Sequence, residues 1–311
     1  MLMMMRRADA GGKKFNIDQE LTAPGEYTLR KNGLFILEGQ SPDIPVVTTK
    51  VNLKIETLQL VGGGGGGASG SGYINGNNSM NGGPGGGSGY LSTLANQQYT
   101  KVSELSIFIG DGGIGGAGTP TGSSGSADGS NGEASIFYIS SAALLTANGG
   151  NGALYVYNSS GNGGAGRYNG GACQKGYNNS RGGNGGGGAG YSSDGQIGAG
   201  EPSSTAPERS GGYGLDFNNG ENGLDGNHGK GWVGGSFGGL GGQGPGAGGG
   251  GGGGPAQNSG GGNVYSGKGG KGSAGYCHIV CSVVLDGGGG VVYKCLTLLS
   301  KLFAPKRGAS C

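Results

Sequence analysis

Residues 261–269 read GGNVYSGKG, and Gly262, Gly267 and Lys268 have the spacing of a phosphate-binding loop. In such a loop glycine N–H groups cradle the phosphates, the lysine reaches their oxygens, and the next residue holds magnesium through a hydroxyl. Here the next residue is Gly269, which has no hydroxyl, and no strand-then-helix pattern surrounds the stretch. With 86 glycines in 311 residues, isolated Gly-x-Gly-x-x-Gly matches carry no information. Asp225 in ENGLDGNHG (221–229) sits among glycines as in a calcium-binding repeat. A calcium β-roll needs tandem copies, and the spacing of an EF-hand is not met. The segment reads instead as a polar loop, where Asn and Asp tolerate left-handed backbone. Cys277 and Cys281 fall on one face of a strand, with His278 on the other, and His228 is the second of the two histidines. Small apolar core residues are the plain reading of those thiols. No Ser–His–Asp or Cys–His set emerges, so the expectation is no enzyme, no metal and no cofactor.

The aromatic residues are more informative. The single tryptophan, Trp232, lies with Tyr213, Phe217, His228 and Phe237 in residues 207–240, and Tyr177 and Tyr191 are of the same kind. Large rings cannot be buried between closely packed glycine backbones. They cap such packing or stand on its surface, where Tyr and Trp on loops serve recognition. Receptor contact and a hydrophobic seal both stay open for these residues.

What positions them is a chain more than a quarter glycine, whose default reading is a flexible linker. Against that stand a net charge of only +2, a hydrophobic content of 32% and 14 tyrosines. No basic stripe suggests nucleic acid. MLMMMRRADAGGKK lacks the apolar run of a secretory signal, and no stretch approaches a transmembrane span. Five cysteines, odd in number and unevenly spaced, do not form a disulfide framework.

The apolar residues gather in short runs. GEYTL (25–29) and GLFILEG (33–39) read as strands. In 50–61, Val51, Leu53 and Ile55 share one parity and Leu58 and Leu60 the other, which places a β-bulge near Glu56–Thr57. Further strands are expected over 104–110, over 133–140, on both sides of the glycine turn in 144–157, and over 275–284 with Cys277, Ile279, Cys281 and Val283 inward. The strands that bracket the long glycine region are expected to pair with each other. Within the glycine blocks, Gly235, Gly238, Gly241 and Gly244 recur every three residues, as do Gly112 and Gly115, and Gly269, Gly272 and Gly275. That period matches a helix of three residues per turn, here polyglycine II, whose backbones can pack side by side. Ordered glycine helices and disordered linker are the two alternatives. Val291, Cys295, Leu298, Leu299 and Leu302 have helical spacing before Pro305, which predicts a short C-terminal helix, packed on the protein's own strands or docked to another subunit.

In order along the chain, LKIETLQLVGGGGGG (53–67), SIFIGDGGIGGAG (106–118), TANGGNGAL (146–154) and GSAGYCHIVCSVV (272–284) resemble the glycine-rich domain of phage and prophage tail proteins, found also in anaplastic-lymphoma-kinase type receptors. The resemblance covers about 50–284. It implies a mainly β fold, with sandwich or jelly-roll-like strands flanking packed polyglycine II helices. It divides the chain into an attachment segment (1–49), the glycine-rich domain (50–284) and a C-terminal extension (285–311). The function it implies is a phage virion protein of a tail or surface fibre, exposed on the particle, with loops at 160–240 displayed on a rigid scaffold. Its partners would be other virion subunits and a bacterial surface receptor, protein or glycan, with no nucleic acid and no membrane insertion; self-association stays open. The alternatives are a capsid or tail decoration protein without receptor binding, and a cellular extracellular adhesion module.

Overall fold

The computed structural model describes residues 12–40, 42–70, 82–118, 127–155, 162–173, 185–190, 192–198, 238–253 and 266–285. These residues hold nine strands: β1 (Lys14–Leu21), β2 (Gly25–Leu29), β3 (Phe35–Leu37), β4 (Val51–Val61), β5 (Leu91–Val102), β6 (Leu105–Ile109), β7 (Ser135–Ile139), β8 (Ala142–Ala147) and β9 (Tyr276–Leu285). They form two antiparallel sheets, β1-β9-β4-β5 and β3-β2-β6-β7-β8. The fold is mainly β, and no α-helix occurs among the described residues.

Alternation decides which side chains meet. Leu53, Ile55, Leu58, Leu60, Cys277, Ile279, Cys281 and Val283 of the first sheet and Tyr27, Leu29, Phe35, Leu105, Ile107, Ile109 and Phe137 of the second form one hydrophobic cluster. The bulge in β4 is present. Ile55 faces Cys281 and Thr57 faces Val280, so Glu56 is the extra residue that returns Leu58 and Leu60 to the core face. The β7–β8 hairpin turns on Ser140 and Ser141 alone, both with positive φ (49° and 63°), as a type I′ turn requires.

Three expectations are corrected. β1 and β5 were not anticipated: β1 alternates but is rich in Asn, Asp, Gln and Glu, and β5 is a polar edge strand exposed over most of its length. The second strand expected within 144–157 is not one over its described part; residues 148–155 join the glycine array instead. The strands bracketing the long glycine region also do not pair. β8 lies in one sheet and β9 in the other, next to β1 and β4.

The glycine segments are ordered and hydrogen-bonded to one another. Every residue from Gly62 to Gly70 donates its N–H, rotating through three neighbours. Gly62, Gly65 and Ala68 donate to Tyr90, Gly87 and Pro84; Gly63, Gly66 and Ser69 to Glu133, Ser130 and Ala127; Gly64, Gly67 and Gly70 to Ser273, Gly270 and Gly267. The carbonyls serve three further segments: Gly63 and Gly66 accept from Gly150 and Ala153, Gly64 and Gly67 from Gly113 and Gly116, Gly65 and Ala68 from Gly249 and Gly252. A partner that recurs every third residue means three residues per turn, the polyglycine II geometry. Residues 62–70 are buried throughout, ringed by six other backbones. Residues 83–89 are surrounded in the same way, and Pro84, which has no N–H to give, suits this backbone.

Glycine is required here for space. Within the array only Gly244 and Gly246 have positive φ, at a turn. A Cβ on Gly65 would instead overlap the carbonyl of Asn151, and one on Gly64 that of Ala247. The perimeter differs: Asp111, Ile114 and Ala117, and Asn148, Asn151 and Leu154, place a side chain outward once per turn.

The sheets set the polarity of the array. β4, β6 and β8 run outward into 62–70, 110–118 and 148–155, while 82–90, 127–134 and 266–275 return into β5, β7 and β9. One buried hydroxyl ties this junction together. Ser135 Oγ donates to the Val61 carbonyl (2.7 Å) and accepts from the Gly110 N–H (3.0 Å).

Gly65→Ala is expected to destabilise the fold by at least about 1–3 kcal/mol, the usual cost of overpacking, whereas Ile114→Ala on the 70% exposed perimeter site changes stability by no more than about 0.5 kcal/mol. Chemical denaturation of both variants measures the contrast, and equal effects would contradict the packing described. Ser135→Ala removes both of these buried bonds and takes away the hydroxyl that the Gly110 N–H donates to, and is expected to cost about 1–3 kcal/mol; a neutral result in the same assay would remove it from the junction.

Candidate functional site

The array has two ends. At the sheet-facing end the chain turns on short bends stabilised by serines. Ser88 Oγ accepts from the Tyr168 N–H (2.9 Å). Ser273 Oγ accepts from the Ala247 N–H (2.7 Å) and donates to the Gly244 carbonyl (3.0 Å). On the side of the array, Lys271 Nζ pairs with Asp111 Oδ2 at 2.8 Å and links two neighbouring segments. None of these residues was singled out from the sequence; the only signal was a serine or a charge interrupting a glycine run.

At the opposite end lie the described residues that flank the long connections. Directions follow from the bonding pattern. Segments 169–173, 192–198 and 247–253 run away from the sheets; 162–166, 185–190, 238–242 and 266–275 run toward them. The flanks Gly70 and Gly82, Gly118 and Ala127, Tyr155 and Asn162, Cys173 and Gly185, Gly198 and Gly238, and Gly253 and Ser266 are therefore all remote from the strands. The first and last strands end at the other pole, where the Leu285 N–H donates to the Lys13 carbonyl (3.0 Å).

Tyr177, Tyr191, Tyr213, Phe217, His228, Trp232 and Phe237 lie outside the described residues, as do Asp225, Gly262 and the helix expected over 291–303. Their flanks separate them into two groups. Tyr177 falls between Cys173 and Gly185, and Tyr213, Phe217, His228, Trp232 and Phe237 between Gly198 and Gly238, all flanks at the remote end. Tyr191 falls between Gly190 and Ser192, at a sheet-side bend where the Gly190 N–H donates to the Ser193 carbonyl.

The described part of the phosphate-loop near-match is taken up by the array. The Gly267 N–H donates to Gly253 and the Gly269 N–H to Gly116, so neither is free to meet a phosphate. Among the described residues no three His, Cys, Asp or Glu side chains are grouped to hold a metal ion, and no helix is long and apolar enough to cross a membrane. His278 Nε2 meets Asp18 Oδ1 at 2.9 Å on the outer face of its sheet. Cys277 and Cys281 lie on the inner face of β9, buried. Burial raises both thiol pKa values, and the Cys281 thiol is pushed up to about 12 by burial first and by the Glu56 carboxylate second. A thiol held protonated is a poor nucleophile. Peptide mass spectrometry after maleimide treatment is expected to find Cys277 and Cys281 unmodified in the native protein and modified only after unfolding; native modification at the rate of a free thiol would overturn this.

Among curated proteins no match is found. A family model described as a glycine-rich domain matches residues 44–293, a span that holds the whole glycine array and β4 through β9. The chain belongs to this glycine-rich domain family.

Proposed function

We propose that the protein is a phage virion component of a tail or surface fibre that presents binding loops to a host cell. The observation that carries this reading is the polarity of the molecule. Six connections depart from and return to the end of the array remote from the sheets, while Lys13 and Leu285 meet at the other pole. An element anchored at one end and displaying loops at the other separates attachment from recognition. The hydrogen-bonded glycine array between them serves as a stiff spacer, and binding residues commonly sit on loops that a rigid scaffold positions. Trp232 and Tyr213 are the proposed contact residues, in the longest of these connections.

The test is adsorption of purified protein to a panel of bacterial cells, comparing the native chain with the Trp232→Ala/Tyr213→Ala variant. Loss of binding by about tenfold or more, the scale of a truncated hot spot, with an unchanged unfolding midpoint is the expected result. Unchanged adsorption removes those residues from the site. A native chain that adsorbs to no cell yet binds particles lacking it returns the protein to a decoration role.

A further inference from the structure

Away from the glycine array, the outer face of the second sheet holds a groove of about 260 Å³ lined by Glu26, Glu104, Ser106, Phe108, Tyr138 and Ser141. Strand register brings these residues together. Glu26 of β2 faces Phe108 of β6, and Ser106 of β6 faces Tyr138 of β7, all on the face turned from the core. Glu104 and Ser141 close one end, where Ser141 Oγ donates to Glu104 Oε2 (3.1 Å).

Several polar groups in the groove have no partner. Among the described residues the Glu26 carboxylate, the Tyr138 hydroxyl and the Ser106 hydroxyl make no hydrogen bond or ion pair, although Ser106 is 5% exposed. These groups face the open groove, where a ligand can meet them.

We infer that this groove binds a single neutral sugar ring. The polar groups form a mixed set: two free hydroxyls that donate and accept, and carboxylates that accept. Vicinal sugar hydroxyls are also donors and acceptors and engage such a set fully. The two carboxylates and two hydroxyls can thus each meet a different hydroxyl of one ring. The rings of Phe108 and Tyr138 supply an apolar surface for the C–H face of a pyranose. The volume is below the roughly 300–1,000 Å³ of sites for drug-sized ligands, which suits one ring and not an oligosaccharide. The groove lies in the β part, apart from the remote-end loops, so this inference does not depend on the function proposed above.

The experiment is an amide-resolved NMR titration of the full chain with methyl glucoside, methyl galactoside and N-acetylglucosamine, and with Nα-acetyl-lysinamide as a cationic probe. Saturable shifts at Ser106, Phe108 and Tyr138 with one of the sugars are expected at concentrations up to about 100 mM. Glu26→Gln, at an exposed position, and Tyr138→Phe are each expected to weaken that binding about fivefold, the effect of one lost hydrogen bond. Absence of shifts with all three sugars overturns the proposal. So does a response to the lysinamide that exceeds the sugars and vanishes in Glu26→Gln, which would make the groove a cation site. Sugar binding that is unchanged in both variants places the sugar elsewhere and overturns it equally.

Discussion

The structure depends on one interaction, the N–H···O=C bond between neighbouring three-residue helices. An α-helix satisfies its backbone internally and a strand satisfies it within a sheet plane. A polyglycine II segment directs its polar groups outward in three directions, so it is stable only when other backbones surround it. Gly62–Gly70 meets that condition completely, donating to three segments and accepting from three others. The same geometry excludes a Cβ at positions such as Gly64 and Gly65, where a side chain would occupy the place of a neighbouring carbonyl. Backbone hydrogen bonds, supported by the close approach of one backbone to the next, thus replace the side-chain core across most of the domain.

Such an array has little means of choosing its own register, because one glycine resembles the next. The β part supplies it. β4 through β9 all lead into or out of the array at one end, and their side chains are distinctive enough to pair in only one way. The hydrophobic cluster built from both sheets fixes the strands, and Ser135 fastens the ends of β4 and β6 at the junction. Register set at the sheets is then passed along each helix. The loss of backbone entropy on ordering glycine is the largest of any residue, which explains why the array is dense in hydrogen bonds and why serine hydroxyls finish the chain at the bends.

The same division gives the described residues distinct environments. Interior array positions hold glycine or small residues such as Ala68 and Ser69, and the inner sheet faces hold mostly apolar residues. The groove on the outer sheet face is a third environment, where half-buried rings and free hydroxyls meet without a covering layer. The raised thiol pKa values of Cys277 and Cys281 follow from their burial on the inner face of β9.

Side-chain alternation made much of the β part legible from the sequence. The strands at 25–29, 51–61, 105–109, 135–139 and 276–285 follow from local apolar patterns, and the bulge at Glu56 from a change of parity, because one-sided burial imposes a period of two. β5 was not legible: its polar residues are held by pairing with β4 and bury little. Glycine periodicity likewise suggested a three-residue helix but left order and disorder equally open. Only the tertiary structure decided between them, since the bonds that hold Gly62–Gly70 come from residues up to some two hundred positions away. The aromatic residues of the candidate binding loops were identified by type alone and lie outside the described residues. The Glu26, Ser106, Phe108 and Tyr138 groove had no sequence signal at all, because it exists only where three strands bring distant residues into register. The sequence by itself determined which segments could be strands and which were too rich in glycine to be anything but three-residue helix or linker, through local sterics and burial pattern. Which backbones meet, and at which end the described segments of the array break off, was decided by long-range hydrogen bonding that no local pattern encodes.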